Sequence, residues 1–196
     1  MDQYFEIAFS AESDRHQRRR GSYAAYQHER NEPGPEGLGA DEHEFLEERD
    51  SLYLASVGPG GWPYVQHRGG PSGFVHVLDP TRLAWVERPG NRQYVSAGNI
   101  DHDDRVSIIA MDYPNRRRLK LYGHATFDPE PDTALLERLG ATGRSEGVLT
   151  VEVVSFNWNC PKYITPRYTE EQVAAAVAPL RERIHALEAE LAALRR

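Results

Sequence analysis

The sequence predicts a mainly β fold: a barrel of short antiparallel strands with peripheral helices and one long C-terminal helix. Residues 50–168 carry short apolar or alternating runs separated by Gly- and Pro-rich turns, the pattern of a barrel or sandwich. They lack the strand–helix alternation that a parallel sheet requires. Beyond residue 169 the apolar period lengthens from two to a heptad, which marks a separate helical element.

Residues 1–49 form an N-terminal arm. The stretch 11–50 is polar, with Arg18, Arg19 and Arg20 followed by an acidic segment through Pro33, Pro35 and Gly37. It reads as a loop and then a short helix over Asp41–Arg49, with Asp41 as N-cap. The triple arginine reads as a solvated helix face. Ser51–Val57 is the first strand, ended by the turn Gly58-Pro59-Gly60-Gly61. Trp62–Arg68 resumes an extended run, which Gly69-Gly70-Pro71-Ser72-Gly73 interrupts. Phe74–Leu78 and Leu83–Glu87 read as a hairpin about Asp79-Pro80, and Asn91–Ile100 as a helix capped by Asn91. Arg105–Tyr113 and Arg117–Phe127 are strands joined at Pro114-Asn115. Pro131–Gly140 reads as a helix and Gly147–Trp158 as the last strand.

The C-terminal region, 169–196, places Val173, Val177, Leu180, Ile184, Leu187, Leu191 and Leu194 at spacings of four and three. That is a heptad stripe, fit either to pack on its own barrel or to pair with a second copy. Thr169 and Gln172 form a capping box, Glu170 and Glu171 lie at the positive end, and Arg195 and Arg196 at the negative end. Pro179 interrupts the stripe and costs about 3 kcal/mol within a helix, so a kink or break is expected there.

The chain of 196 residues has a net charge of −7, which argues against nucleic-acid binding. No run of about 18 apolar residues is present, so no membrane span is expected. Met1–Ser10 does not read as a secretory signal, and the single cysteine, Cys160, allows no intramolecular disulfide; a cytoplasmic location is expected. Lys120 and Lys162 are the only lysines, so the positive charge is carried by arginines, whose planar forks suit phosphate or carboxylate. An acidic chain with local arginine clusters points to a small anionic ligand.

The arginines recur at strand ends and helix starts: Arg68, Arg92 and the run Arg116–Arg118. Arg92, one residue past the expected cap Asn91, would add a guanidinium to the free amides of a helix N-terminus. Alternation puts Leu119 and Leu121 on one face of their strand and Arg118, Lys120 and Tyr122 on the other. Cys160 reads as a buried small residue rather than a redox thiol. Asp101-His102-Asp103-Asp104 reads as a solvated turn rather than a metal site, because adjacent residues cannot all face one ion. His67 points away from Gln66 and Arg68, and His124 reads as a structural residue. No phosphate-loop or hydrolase signature is present.

The stretches LYLASVGPGGWPYVQHRGGP, GNRQYVSAGN, DRVSIIAMDYPNRRRLKLYGHA and WNCPKYITPR, spanning Asp50 to Arg167, resemble the pyridoxamine 5′-phosphate oxidase-related, FMN-binding split-barrel proteins. The variety fused ahead of ferredoxin-reductase modules is the most similar. The resemblance implies a six-stranded antiparallel Greek-key split barrel that works as a homodimer, with FMN in the cleft between subunits. It implies a phosphate arginine at the position of Gln66, for which Arg68, on the same face, stands in. The family's Ser-Arg-Lys becomes Asn91-Arg92-Gln93, keeping the arginine and losing the lysine. A flavin-contacting glutamine falls at Arg118, and a tryptophan and arginine that close over the flavin fall at Trp158 and Arg167. Vitamin B6 oxidases carry an arginine and a histidine between that tryptophan and arginine; here Asn159 through Pro166 contain neither. A substrate lysine is replaced by Gly69-Gly70-Pro71. The resemblance therefore implies an FMN-dependent oxidoreductase acting on a small molecule other than a B6 vitamer. Its alternative is a carrier, sensor or relay served by a reductase partner, or the same barrel with haem or a deazaflavin. It supplies no catalytic acid or base.

Overall fold

The computed structural model describes residues 1, 3–158 and 161–195. Two compact units are distinguished: Met1–Met111 with Arg118–Cys160, and Asp112–Arg117 with Pro161–Arg196.

The first unit is built on one sheet of seven strands: β1 Ser51–Val57, β2 Pro63–Gly69, β3 His76–Asp79, β4 Arg82–Glu87, β5 Arg105–Asp112, β6 Arg117–Asp128 and β7 Gly147–Trp158. The order β2-β1-β5-β6-β7-β4-β3 corrects the six strands implied by resemblance, because β3 pairs with β4 as a short edge hairpin. The pairs β1–β2, β1–β5, β3–β4, β4–β7 and β6–β7 are antiparallel. Period-two alternation fixes one buried face: Leu52 and Leu54, Val106 and Ile108, Leu119 and Leu121, Leu149 and Val151 all point into a single core with Trp85.

The sheet is strongly curled. β2 is first in the order and β4 sixth, so in a flat sheet they would lie roughly 24 Å apart at about 4.8 Å per strand. Yet Arg68 of β2 and Glu87 of β4 form an ion pair at 2.7 Å. Only a sheet closing on itself as a barrel brings these ends together.

The strand expectations match the structure within a residue or two, but several caps and helices differ. The arm holds α1 Tyr4–Ala8, α2 Ala11–Arg20 and α3 Tyr23–Arg30; α2 carries the expected helix face of Arg18–Arg20, whereas α1 and α3 are not expected from sequence. Phe5, Phe9 and Tyr26 cluster at ring distances of 4.9 to 5.7 Å, and Arg30 bonds Asp14 through both terminal guanidinium nitrogens. Arg18, Arg19 and Arg20 are exposed at the end of α2. α4 spans Ala40–Glu47, so Asp41 is not its cap; the Gly39 N–H, freed at the helix start, donates to the Glu42 carboxylate at 2.9 Å.

α5 runs Val95–His102, four residues later than the start expected at Asn91. Arg92 and Tyr94 adopt left-handed conformations, with φ of 56° and 49°, and these delay the helix. Asn99 anchors α5 to β1 by donating to the buried Ser56 hydroxyl at 3.0 Å. α6 spans Thr133–Arg138, capped by Asp132 rather than starting at Pro131.

The second unit consists of the β5–β6 turn and a C-terminal segment. α7 spans Glu170–Leu194, with the Thr169 and Gln172 capping box at 2.9 and 3.2 Å. Of the kink or break expected at Pro179, the break is absent: the helix runs through as one, and a single lost backbone bond is tolerated within 25 residues. Among the described residues, no helix is long and apolar enough to cross a membrane.

Candidate functional site

A cavity of about 300 Å³ opens where the curled sheet meets itself. One wall is β2, whose alternation turns Tyr64, Gln66 and Arg68 inward while Val65 faces out; His67, though more exposed, also borders the cavity. The opposite wall is Trp85 and Glu87 of β4 and the loop that follows. The N-terminus of α5 closes one side.

Each polar side chain has an identifiable partner. The Tyr64 hydroxyl donates to Gln66 Oε1 at 2.6 Å and fixes its rotamer. Glu87 Oε1 accepts from Arg68 Nε at 2.7 Å and from the indole N–H of buried Trp85 at 2.8 Å. The Arg68 and Glu87 side chains are only 17% and 16% exposed, so this pair is well shielded. Arg92 reaches Glu146 at 3.1 Å from a side chain that is 51% exposed, and Arg144 approaches the same carboxylate at 3.6 Å. The Tyr94 hydroxyl also donates to Glu146, which raises the Tyr94 pKa. That hydrogen bond, and then Arg92, hold Glu146 below the ordinary glutamate range.

Asn91 does not cap α5. Its side chain accepts the Gln93 N–H at 3.1 Å, forming a local turn that carries Arg92 to the cavity rim. The residue that does precede α5, Tyr94, offers no side-chain cap, and the first turn contains no acidic residue. The early α5 residues Val95, Ser96 and Ala97 line the cavity with a helix N-terminus that favours negative charge.

The structure thus gathers Gln66, Arg68, Asn91, Arg92 and Gln93 around one cavity. Arg118 and Trp158 are not among the residues lining it. Arg118 lies half-buried on β6, and among the described residues its Nε has no hydrogen-bond partner. Its charge, after burial, helps lower the pKa of Lys120 on the same face. That face is covered by Tyr4, which stacks on Tyr122 at 5.1 Å. Trp158 donates its indole N–H to Glu42 at 2.6 Å and meets Phe45 edge-on at 4.8 Å. Arg167 lies in the second unit, its guanidinium 4.9 Å from the centre of the Tyr113 ring.

The sequence reading missed Trp85, Glu87, Glu146 and the uncapped α5. Trp85 and Glu87 were accessible through strand alternation, since two residues of one strand two apart share a face. Glu146 sits in a Gly-containing connection with no periodicity to mark it. His67 packs on Tyr53 at 5.5 Å, and His124 contacts Asp104 at 2.8 Å on the surface. Among the described residues, no group of three His, Cys, Asp or Glu side chains could hold a metal. Cys160 lies outside the described residues.

The sequence profile of pyridoxamine 5′-phosphate oxidase matches residues 40–154, more than half of the chain. The chain belongs to the pyridoxamine 5′-phosphate oxidase family. Among solved structures, HupZ of Group A Streptococcus aligns with a TM-score of 0.50 at 14% identity, over 67% of this chain and all of its own. A Lactobacillus delbrueckii protein named for pyridoxamine 5′-phosphate oxidase aligns at 0.48 and 23% identity, over 62% of this chain and 93% of its own. An FMN-binding protein of Syntrophomonas wolfei aligns at 0.46 and 10% identity, over 60% of this chain and 86% of its own. No curated protein matches the sequence. The family match and the HupZ alignment establish the split-barrel fold; the matched region contains every residue of the cavity wall.

Proposed function

We propose that this family member binds FMN and serves as an FMN-dependent oxidoreductase on a small molecule that is not a B6 vitamer. The observation that carries the reading is the donor set at one end of the cavity. The uncapped α5 N-terminus and Arg92 converge there, with Arg68 and Gln66 on the facing strand. Backbone amides, helix dipole and guanidinium together fit a phosphate monoester.

The two arginines have different parts. Arg92 is half exposed, so its carboxylate partner can be exchanged for a phosphate at little cost. Arg68 is held by Glu87 in a shielded pair and orients the wall rather than exchanging partners. A cavity of about 300 Å³ suits the phosphate and ribityl end of FMN, leaving the ring toward a second subunit. Bound FMN would supply hydride or electron acceptance at its ring, with the protein contributing position and electrostatics. The absence of arginine and histidine between Trp158 and Arg167 argues against a B6 substrate.

One observation favours a second reading, a flavin carrier or electron relay. Both cavity carboxylates, Glu87 and Glu146, are already committed to arginines, so neither stands ready as a general acid or base. Turnover with NAD(P)H alone supports the oxidoreductase; reduction only with an added reductase supports the relay.

The absorption spectrum of the purified protein tests the cofactor, since flavin, deazaflavin and haem have distinct bands. Arg92→Ala tests the site. A hydrogen bond to a charged group is worth about 1.5–3 kcal/mol, so FMN affinity should fall roughly ten- to a hundredfold. Riboflavin, without the phosphate, should bind both forms alike in a fluorescence-quench titration. Equal losses for both ligands would assign Arg92 to folding, and no loss would remove the phosphate from this place.

A further inference from the structure

We infer that α7 is one strand of a parallel, two-stranded coiled coil with a second copy of this chain. The inference is independent of the flavin reading.

Assigning Val177, Ile184 and Leu191 to position a puts Val173, Leu180, Leu187 and Leu194 at d without a break. The seam covers just over three heptads and about 33 Å of helix. None of the described residues of α7 is buried; Leu180 is 63% exposed and Ile184 53%. Seven large apolar residues along one stripe of a water-exposed helix are a face awaiting a partner. Pro179 falls at position c, pointing away from the seam.

The charges flanking the seam identify that partner as another α7. In a parallel pair, each g residue faces the e residue five positions later on the other strand. Arg183 at g then faces Glu188 of the partner subunit, and Glu190 at g faces Arg195 of the partner subunit. Both pairs are opposite in sign, and symmetry makes each of them twice. The remaining pair, Ala176 with Arg181 of the partner subunit, carries no repulsion. Within one chain Arg183 reaches Glu190 only at 3.9 Å, a loose contact that leaves both available. An antiparallel pair would also match charges, through Arg183 with Glu190 and Arg181 with Glu188. In the parallel arrangement the seam favours two strands, with β-branched Val177 and Ile184 beside Leu191 at a, and Leu180, Leu187 and Leu194 beside Val173 at d; the charge swap below separates the two orientations.

Disulfide trapping in the full-length chain, in a Cys160→Ser background, tests this. Under mild oxidation Leu187→Cys, at d, should give a covalent dimer, whereas Ala189→Cys, on the outer f position, should stay at the 22.2 kDa monomer mass. Adding Arg183→Glu should slow trapping about tenfold, and adding Glu188→Arg as well should restore it. Leu187→Cys remaining monomeric, or trapping no faster than Ala189→Cys, overturns the coiled coil. A double charge swap that stays slow overturns the parallel arrangement, because in the antiparallel pair that swap leaves like charges opposed.

Discussion

The Arg68–Glu87 pair bridges the two ends of the curled sheet, and Glu87→Gln measures what that bridge contributes. The wild-type carboxylate accepts from Arg68 at 2.7 Å and from Trp85 at 2.8 Å, both groups shielded from water. Glutamine keeps the volume and one acceptor oxygen, so the Trp85 bond can survive. What is lost is the charge on the Arg68 bond, which lowers a contribution of about 1.5–3 kcal/mol to about 0.5–1.5. Arg68 also remains partly desolvated with no counter-charge, which brings the expected loss to about 2 kcal/mol. For a chain of this length each kcal/mol moves the melting temperature by about 2–4 °C, so a fall of roughly 4–8 °C is expected. Thermal and urea denaturation of ligand-free protein are the assays, with Glu146→Gln, whose Arg92 partner is half exposed, as the comparison. A double-mutant cycle with Arg68→Met should return a coupling above about 1 kcal/mol. A Glu87→Gln variant no less stable than Glu146→Gln, or a cycle with no coupling, would refute the bridge.

Three further outcomes follow from local geometry. Gly147 sits at φ 142°, and an added Cβ would lie 2.4 Å from the Asp128 carbonyl, so Gly147→Ala should cost on the order of 2 kcal/mol or more by chemical denaturation. Asp79 accepts the Thr81 N–H and then Arg82, which lower its pKa to about 2; its contribution is therefore present above about pH 4 and lost as pH falls toward 2. The stability gap between wild type and Asp79→Asn should narrow over that window, and a gap constant from pH 5 to 2 would refute it. Trp158→Phe removes the donor to Glu42 and should destabilise by about 1–3 kcal/mol while leaving anion binding at the cavity unchanged in the same titration used for Arg92→Ala.

How far the sequence could be read depended on the range of the forces involved. β1, β5, β6 and β7 were legible because alternation of buried and exposed residues is a two-residue signal. The start of α5 was not: Asn91 is a good N-cap residue, but here its carboxamide closes a turn onto Gln93. Two left-handed residues, Arg92 and Tyr94, then postpone the helix, and neither is a glycine that would have signalled it. The three helices of the arm are short, α2 being almost wholly polar, and are held by Phe5, Phe9, Tyr26 and the Arg30–Asp14 pair. Those contacts cross up to 21 residues, beyond any periodicity window. In the candidate site, Arg68 and Arg92 could be picked out by charge and resemblance. Glu146 could not, and although alternation places Glu87 on the face of Trp85, its pairing with Arg68 forms only when the sheet curls.

That curling links fold and site. The ends of the sheet leave a seam, and the cavity is that seam: β2 forms one lip, β4 the other, and α5 the end. A seam of exposed strand edges is a liability unless it is covered or paired. Here Arg68 stands on the β2 lip and Arg92 on the loop that follows β4, each with a carboxylate partner. Glu87 and Glu146 neutralise these guanidiniums in two different ways. The shielded Glu87 joins lip to lip and is part of the wall, whereas Glu146 holds a half-exposed arginine that an incoming anion can take over. The barrel is thus closed by one ion pair while the other keeps its guanidinium ready at an uncapped helix end. On the proposed function, a ligand phosphate would displace only the second carboxylate, without opening the seam.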